Sequence, residues 1–115
     1  MPGRYVPEAG DIVTLNFDPQ AGHEQAGFRP ALILSAKGFN RIGVAMLCPI
    51  TTKPRGLPFE VALLASGKTV GVVLCQHLKS HDWIARNAKF VEKAPAEVME
   101  AVRERVAVIL GLGGA

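Results

Sequence analysis

The hydrophobic period of this chain changes once, near Pro95, and that change constrains the fold more than any other feature. Upstream of it, apolar residues come in short runs broken by Gly and Pro. In Ile12 to Phe17 the residues Val13, Leu15 and Phe17 alternate with Thr14 and Asn16, the period of two that marks a half-buried strand. Further runs follow at Ala31 to Ser35, Ile42 to Cys48, Phe59 to Leu63 and Val70 to Cys75. Between them lie turn-rich stretches at Asp18 to Arg29, Lys37 to Arg41 and Thr51 to Pro58, and Ser66-Gly67-Lys68 resembles a hairpin turn. Downstream, Val98, Val102, Val106, Ile109 and Leu110 recur at three- and four-residue steps, with Pro95 suited to a first helical turn and Gly111 to a helix end. Glu97 and Glu100 early in this segment, and Arg103 and Arg105 later, suit the helix dipole. The pattern predicts a mainly β chain with one C-terminal helix, folded as a small, strongly curved sheet or barrel. One domain over residues 1–115 is expected.

Composition narrows the setting. With 115 residues, 49% of them hydrophobic and 20% charged, the chain can fill one core, which argues against disorder. Met1-Pro2-Gly3-Arg4-Tyr5 has no apolar signal region, and no apolar run approaches the ~20 residues that span a bilayer. A soluble, cytoplasmic protein is expected. Cys48 and Cys75 sit inside apolar runs without CxxC spacing, which predicts buried free thiols. Phe17, Phe59 and Phe90 are expected in the core. The formal net charge of +3 is modest, but its distribution is not even. Residues 23–93 carry ten basic and four acidic groups, so the middle is +6 and the two flanks are together −3. A basic field concentrated in one stretch suits a polyanionic partner, and a solvated basic surface is the bland alternative.

Three loops carry candidate chemistry. The first, DPQAGHEQAGFR, runs from Asp18 to Arg29 and is longer than an ordinary hairpin connection. Glu24 offers a carboxylate that can accept a proton, and Arg29 a guanidinium that can brace a phosphate, although such a pair also makes a local salt bridge. Gln25 lies between them, and Phe28 could stack on a base or plug the core. The second loop, Pro49-Ile50-Thr51-Thr52-Lys53-Pro54-Arg55-Gly56, sets hydroxyls beside two cations, the requirements of a phosphate-binding rim. The third, Gln76-His77-Leu78-Lys79-Ser80-His81-Asp82-Trp83, superficially resembles a metal site through Cys75, His77 and His81. It lacks an HExxH glutamate or a second ligand group, which argues against zinc. His77 and His81 could instead form an acid/base pair, with His23 of the first loop a third candidate; on a strand the two would lie roughly 13 Å apart, too far to flank one phosphate, and on a helix they would come closer.

Taken together, RYVPEAGDIV, NFDPQAGHEQAGFRPALILS and CPITTKPRGLPFEV resemble the MazF/PemK-type toxins of type II toxin–antitoxin systems, over about Arg4 to Leu110. The resemblance implies an SH3-like, PemK/CcdB-like curved β-barrel with a C-terminal helix, assembled as a homodimer. It also implies an endoribonuclease that cuts single-stranded mRNA without metal or cofactor, and a MazE/PemI-like antitoxin whose acidic tail covers the sites. Carried over residue by residue, the family's loop glutamate falls on Glu24, its catalytic arginine on Arg29 and its catalytic threonine on Thr52. Gln25, Phe28, Lys53, Arg55, His77, Lys79 and Ser80 are the expected RNA contacts. His77 stands where relatives often carry Gln, which leaves two roles open, altered base choice or the leaving-group acid. A CcdB-like gyrase poison and a passive RNA-binding barrel are the competing readings. The EQAGFRP block and the Pro-x-Thr turn favour the ribonuclease over the gyrase poison.

Overall fold

The computed structural model describes residues 4–17, 27–63 and 67–113. Seven strands form one antiparallel sheet: β1 (Asp11–Asn16), β2 (Phe28–Ile33), β3 (Val44–Thr51), β4 (Glu60–Leu63), β5 (Gly71–Leu74), β6 (Lys79–Asp82) and β7 (Lys89–Lys93). Their order is β4-β5-β3-β2-β1-β7, with β6 added on β3, and the sheet curls into a half-barrel. A single helical turn, α1 (Lys37–Asn40), precedes β3, and the long helix α2 (Ala96–Leu110) follows β7.

Alternation along the strands sorts side chains onto two faces. Ile12, Leu32, Cys48, Ile50, Val61 and Val73 pack on one face under Val98, Met99 and Val102 of α2. Val13, Leu15, Ala31, Ile33, Ala45 and Leu47 pack on the other with Trp83, covered by Tyr5, Val6, Phe17 and Ala88. This is the period of two read from the sequence, with both faces buried. The buried Asn40 fastens the second face. It donates to the carbonyls of Pro7 (2.8 Å) and Ser35 (2.9 Å), accepts from the Ser35 hydroxyl, and its own carbonyl receives the Trp83 indole N–H at 2.7 Å.

Pro95 is the N-cap of α2, one residue ahead of the first turn, and its carbonyl accepts the N–H groups of Val98 and Met99. Gly111 ends the helix in the left-handed conformation (φ 71°). Gly111 N–H returns to Val108 and Leu112 N–H to Ala107, the two bonds of a Schellman cap.

Several expectations change. Phe90 is half exposed and lies against Tyr5, with ring centroids 5.9 Å apart, because its position on β7 faces outward from the sheet's end. Phe17 and Phe59 are partly buried at the core margins. Ile109 and Leu110 are exposed, because α2 runs past the edge of the core after Val106. Phe28 and Arg29 belong to β2 and not to the preceding loop.

Both cysteines are free and buried, as expected. Burial pushes the Cys48 thiol up to about 12 and raises that of Cys75 as well. Neither is a thiolate at neutral pH, so neither is a nucleophile. Treatment of the native protein with an aromatic disulfide reagent at pH 8 should release no chromophore over minutes. Two thiols should titrate once the chain is unfolded.

Candidate functional site

Pairing between β2 and β3 brings two expected functional segments to the same end of the sheet. Ile33 pairs with Leu47 and Ala31 with Pro49. Two residues further along each strand lie Arg29, near the start of β2, and Thr51, the last residue of β3. The ladder between the two strands stops at Ala31, and Pro30 has no N–H with which to extend it. The strand ends therefore part and can carry polar side chains. Phe28 and Arg29 are exposed and pair through their backbones with Asn16 and Leu15 of β1, and among the described residues the Arg29 guanidinium has no hydrogen-bond or ion-pair partner. Phe17 N–H donates to the Gly27 carbonyl at 2.8 Å, which continues the β1–β2 pairing by one residue on each strand. Glu24, Gln25 and His23 lie outside the described residues.

The other edge of β3 is shared by two strands. Val44–Leu47 pair with β6, and Ile50 and Thr51 pair with β5. Between Leu47 and Ile50, β3 advances three residues while the opposing chain covers six, from Lys79 back to Val73. A 3₁₀ turn at Cys75–His77 takes up the excess, closed by Leu78 N–H donating to the Cys75 carbonyl at 3.3 Å. Cys75 stays buried, and Gln76 and His77 are turned outward as in a β-bulge.

These elements enclose an open groove of about 490 Å³. Leu57 and Leu74 supply its apolar lining; Thr51, Lys53, Arg55, Glu60, Gln76 and His77 supply polar groups. Lys53 N–H donates to Thr51 Oγ1 at 3.1 Å, which leaves the hydroxyl proton available to a ligand. Gly71 makes the wall possible. Its φ is +128°, and a Cβ there would overlap the Thr51 carbonyl, so a side chain at 71 would push Thr51 out of place. Glu60 is the one acidic group of the groove lining, and its carboxylate accepts the backbone N–H groups of Arg55 and Gly56 at 3.1–3.2 Å.

The expected residues are thus partly gathered. Lys53, Arg55 and His77 line the groove, whereas Thr52 follows Thr51 on an exposed bend outside that lining. Lys79 and Ser80 lie on β6, exposed and beyond the groove. Thr51 and Gln76 fall within the candidate loops but were assigned no role there, and Glu60 lies in none of those loops. The Thr-Thr doublet pointed to the position of Thr51 within one residue; nothing around Glu60 distinguished it from a surface carboxylate.

His77 and His81 have separate surroundings. His81 is half-buried on β6, edge-on to Phe17 with centroids 5.0 Å apart. Burial, with Arg86 and Lys79 nearby, holds its imidazole below the ordinary value, so it packs as a neutral ring. Among the described residues no three His, Cys, Asp or Glu side chains group as metal ligands.

A curled antiparallel half-barrel with one long C-terminal helix is the fold of MazF toxin structures, and the sequence relationships agree. The sequence model for the PemK-like, MazF-like toxin of type II toxin–antitoxin systems matches residues 8–110. The chain belongs to this family. It is 38% identical over 112 residues to the endoribonuclease toxin MazF of Escherichia coli K12, covering 96% of this chain and all of that protein. It is 41% identical over 108 residues to the endoribonuclease toxin ChpB of the same strain, covering 90% and 93% of the two chains. The structure of MazE–MazF (Form-II) from Deinococcus radiodurans superposes with a TM-score of 0.88 at 48% identity, covering 96% of this chain and 100% of that one. No helix among the described residues is long and apolar enough to cross a membrane.

Proposed function

We propose that this chain cleaves single-stranded mRNA, without metal or cofactor, by attack of a ribose 2′-OH on the adjacent phosphorus. The O2′–P bond forms as the P–O5′ bond breaks, leaving a 2′,3′-cyclic phosphate and a free 5′-OH. The supporting observation is the Arg29 guanidinium, exposed and without a partner among the described residues, at the same end of the sheet as Thr51 and the groove lined by Lys53 and Arg55, a lining of which Arg29 itself is not part. A guanidinium there stabilises charge developing on the phosphoryl oxygens, and a threonine hydroxyl donates to the same group. The family resemblance assigns the hydroxyl to Thr52; the groove geometry favours Thr51. Glu24 takes the 2′-OH proton in this reading and water supplies the proton that the departing O5′ needs, with Gln25, Phe28, Lys53, Arg55, His77, Lys79 and Ser80 contacting RNA. The class of enzyme agrees with the named relatives, which are endoribonucleases.

The cellular setting follows from the same reading. The chain works in the cytoplasm and is restrained by a cognate MazE/PemI-like antitoxin whose acidic tail covers the basic groove. It acts as a homodimer, and the exposed Val108, Ile109, Leu110 and Leu112 at the end of α2 are an apolar surface for a second copy.

Two comparisons test the chemistry. An RNA oligonucleotide with one 2′-deoxy residue at the cleaved position should resist cutting there, because the nucleophile is gone; cutting at that position contradicts the mechanism. Thr51→Val should lower the rate at saturating RNA by about 10-fold to 100-fold, and Thr52→Val by less than about threefold. The reverse order returns the role to Thr52.

A further inference from the structure

Residues 52–58 carry both groove cations, Lys53 and Arg55, and every one of them is exposed. Burial therefore does not order this rim, and an exposed segment without anchors samples many conformations. A carboxylate orders it. Glu60, the first residue of β4, accepts the Arg55 N–H on both oxygens at 3.1 and 3.2 Å and the Gly56 N–H at 3.1 Å. Gly56, at φ +74°, lets successive backbone N–H groups converge on one anion. The Glu60 N–H donates to the Leu57 carbonyl at 3.2 Å, and Arg105 Nε of α2 donates to the Pro58 carbonyl at 3.3 Å. The segment is thus tied at its middle, where the bonds are charge-assisted, and at its C-terminal end.

An acidic group in a groove for a polyanion needs an explanation, because it repels the ligand. Here its oxygens are turned onto backbone amides of the rim. We infer that Glu60 is a positioning residue, holding the Arg55–Gly56 backbone so that Lys53 and Arg55 present their charges to RNA phosphates. It does not touch the reacting atoms. This role rests on the RNA-cleaving reading above and adds to it the device that shapes the phosphate-binding rim.

Steady-state cleavage together with amide hydrogen exchange tests it. Glu60→Ala should raise KM about tenfold with kcat within about twofold, and the Arg55 and Gly56 amides should lose their protection. Glu60→Gln, whose amide oxygen still accepts, should recover most of the KM. In a Lys53→Ala/Arg55→Ala background, Glu60→Ala should add less than about twofold, because the charges it positions are absent. A loss confined to kcat, a full multiplicative loss in that background, or unchanged amide protection in Glu60→Ala would overturn the role. Exchange needs no cleavage. Intact RNA with wild-type enzyme contradicts the cleavage reading, whereas multiplicative losses in an RNA-cleaving enzyme contradict the role of Glu60 alone.

Discussion

Arg29→Ala is expected to lose about 10²–10³-fold in RNA cleavage at saturating substrate. Its thermal unfolding should match that of wild type. The separation of the two effects follows from where the residue lies. The Arg29 guanidinium is exposed and has no partner among the described residues, and its backbone pairing with Leu15 survives truncation, so the fold has little to lose. A guanidinium so placed is available to a ligand, and a phosphorane carries more negative charge on its oxygens than the ground-state diester. Interactions that strengthen in the transition state appear in kcat. Arg29→Lys should recover only a small part of the loss, since an ammonium cannot offer two parallel donors to one phosphate. Measurement of kcat and Tm on the same preparations checks this. A large fall in Tm, or a fall confined to KM, would assign Arg29 to folding or to general RNA attraction.

Asp11→Ala should have the largest effect on stability, about 3 kcal/mol, or roughly 10–15 °C in Tm. Asp11 is buried in β1 and pairs across the sheet with Lys93 of β7, whose Nζ lies 2.6 Å from its carboxylate. The same carboxylate accepts the Tyr5 hydroxyl and the Glu8 N–H, the latter at 3.0 Å. One side chain thus fastens the N-terminal segment to the last strand, and its removal takes the partner from a half-buried phenol and a backbone donor. Lys93 is more than half exposed, so water screens much of the ion-pair contribution.

The cluster also gives a pH dependence. Burial, and then the bond to Asp11, push the Tyr5 phenol up, while the bond to Asp11 raises Lys93. Both groups hold their protons more tightly in the folded state. Their stabilisation is complete below the unfolded values near pH 10 and is lost as pH rises through the folded ones. A Tm profile of wild type should fall above about pH 10, and that of Tyr5→Phe should fall less steeply. Parallel profiles would count against the cluster as the cause.

The first strands, the helix and the buried thiols were legible because they depend on local alternation and local punctuation. Val13 and Leu15 declare a face within β1, and Gly111 declares a helix end without reference to the rest of the chain. β6 and β7 were not legible. Lys79–Asp82 and Lys89–Lys93 have little apolar alternation and become strands by pairing with β3 and β1. β3 extends through Pro49 to Thr51, past the boundary set at Cys48, because β5 supplies partners for Ile50 and Thr51. The candidate site divides in the same way. Arg29, Lys53, Arg55 and His77 could be named from residue type and family pattern. The placement of Thr51 depends on strand register, and the role of Glu60 on three hydrogen bonds to residues four and five positions away.

End analysis of one digest decides whether the chain cleaves RNA without metal through Arg29. Purified protein is incubated with a long single-stranded RNA in excess EDTA, and the fragment ends are mapped. Discrete fragments with 5′-OH and 2′,3′-cyclic phosphate ends at a short recurrent sequence are expected with wild type and not with Arg29→Ala. Intact RNA at high enzyme excess, or fragments bearing 5′-phosphates, would contradict the mechanism.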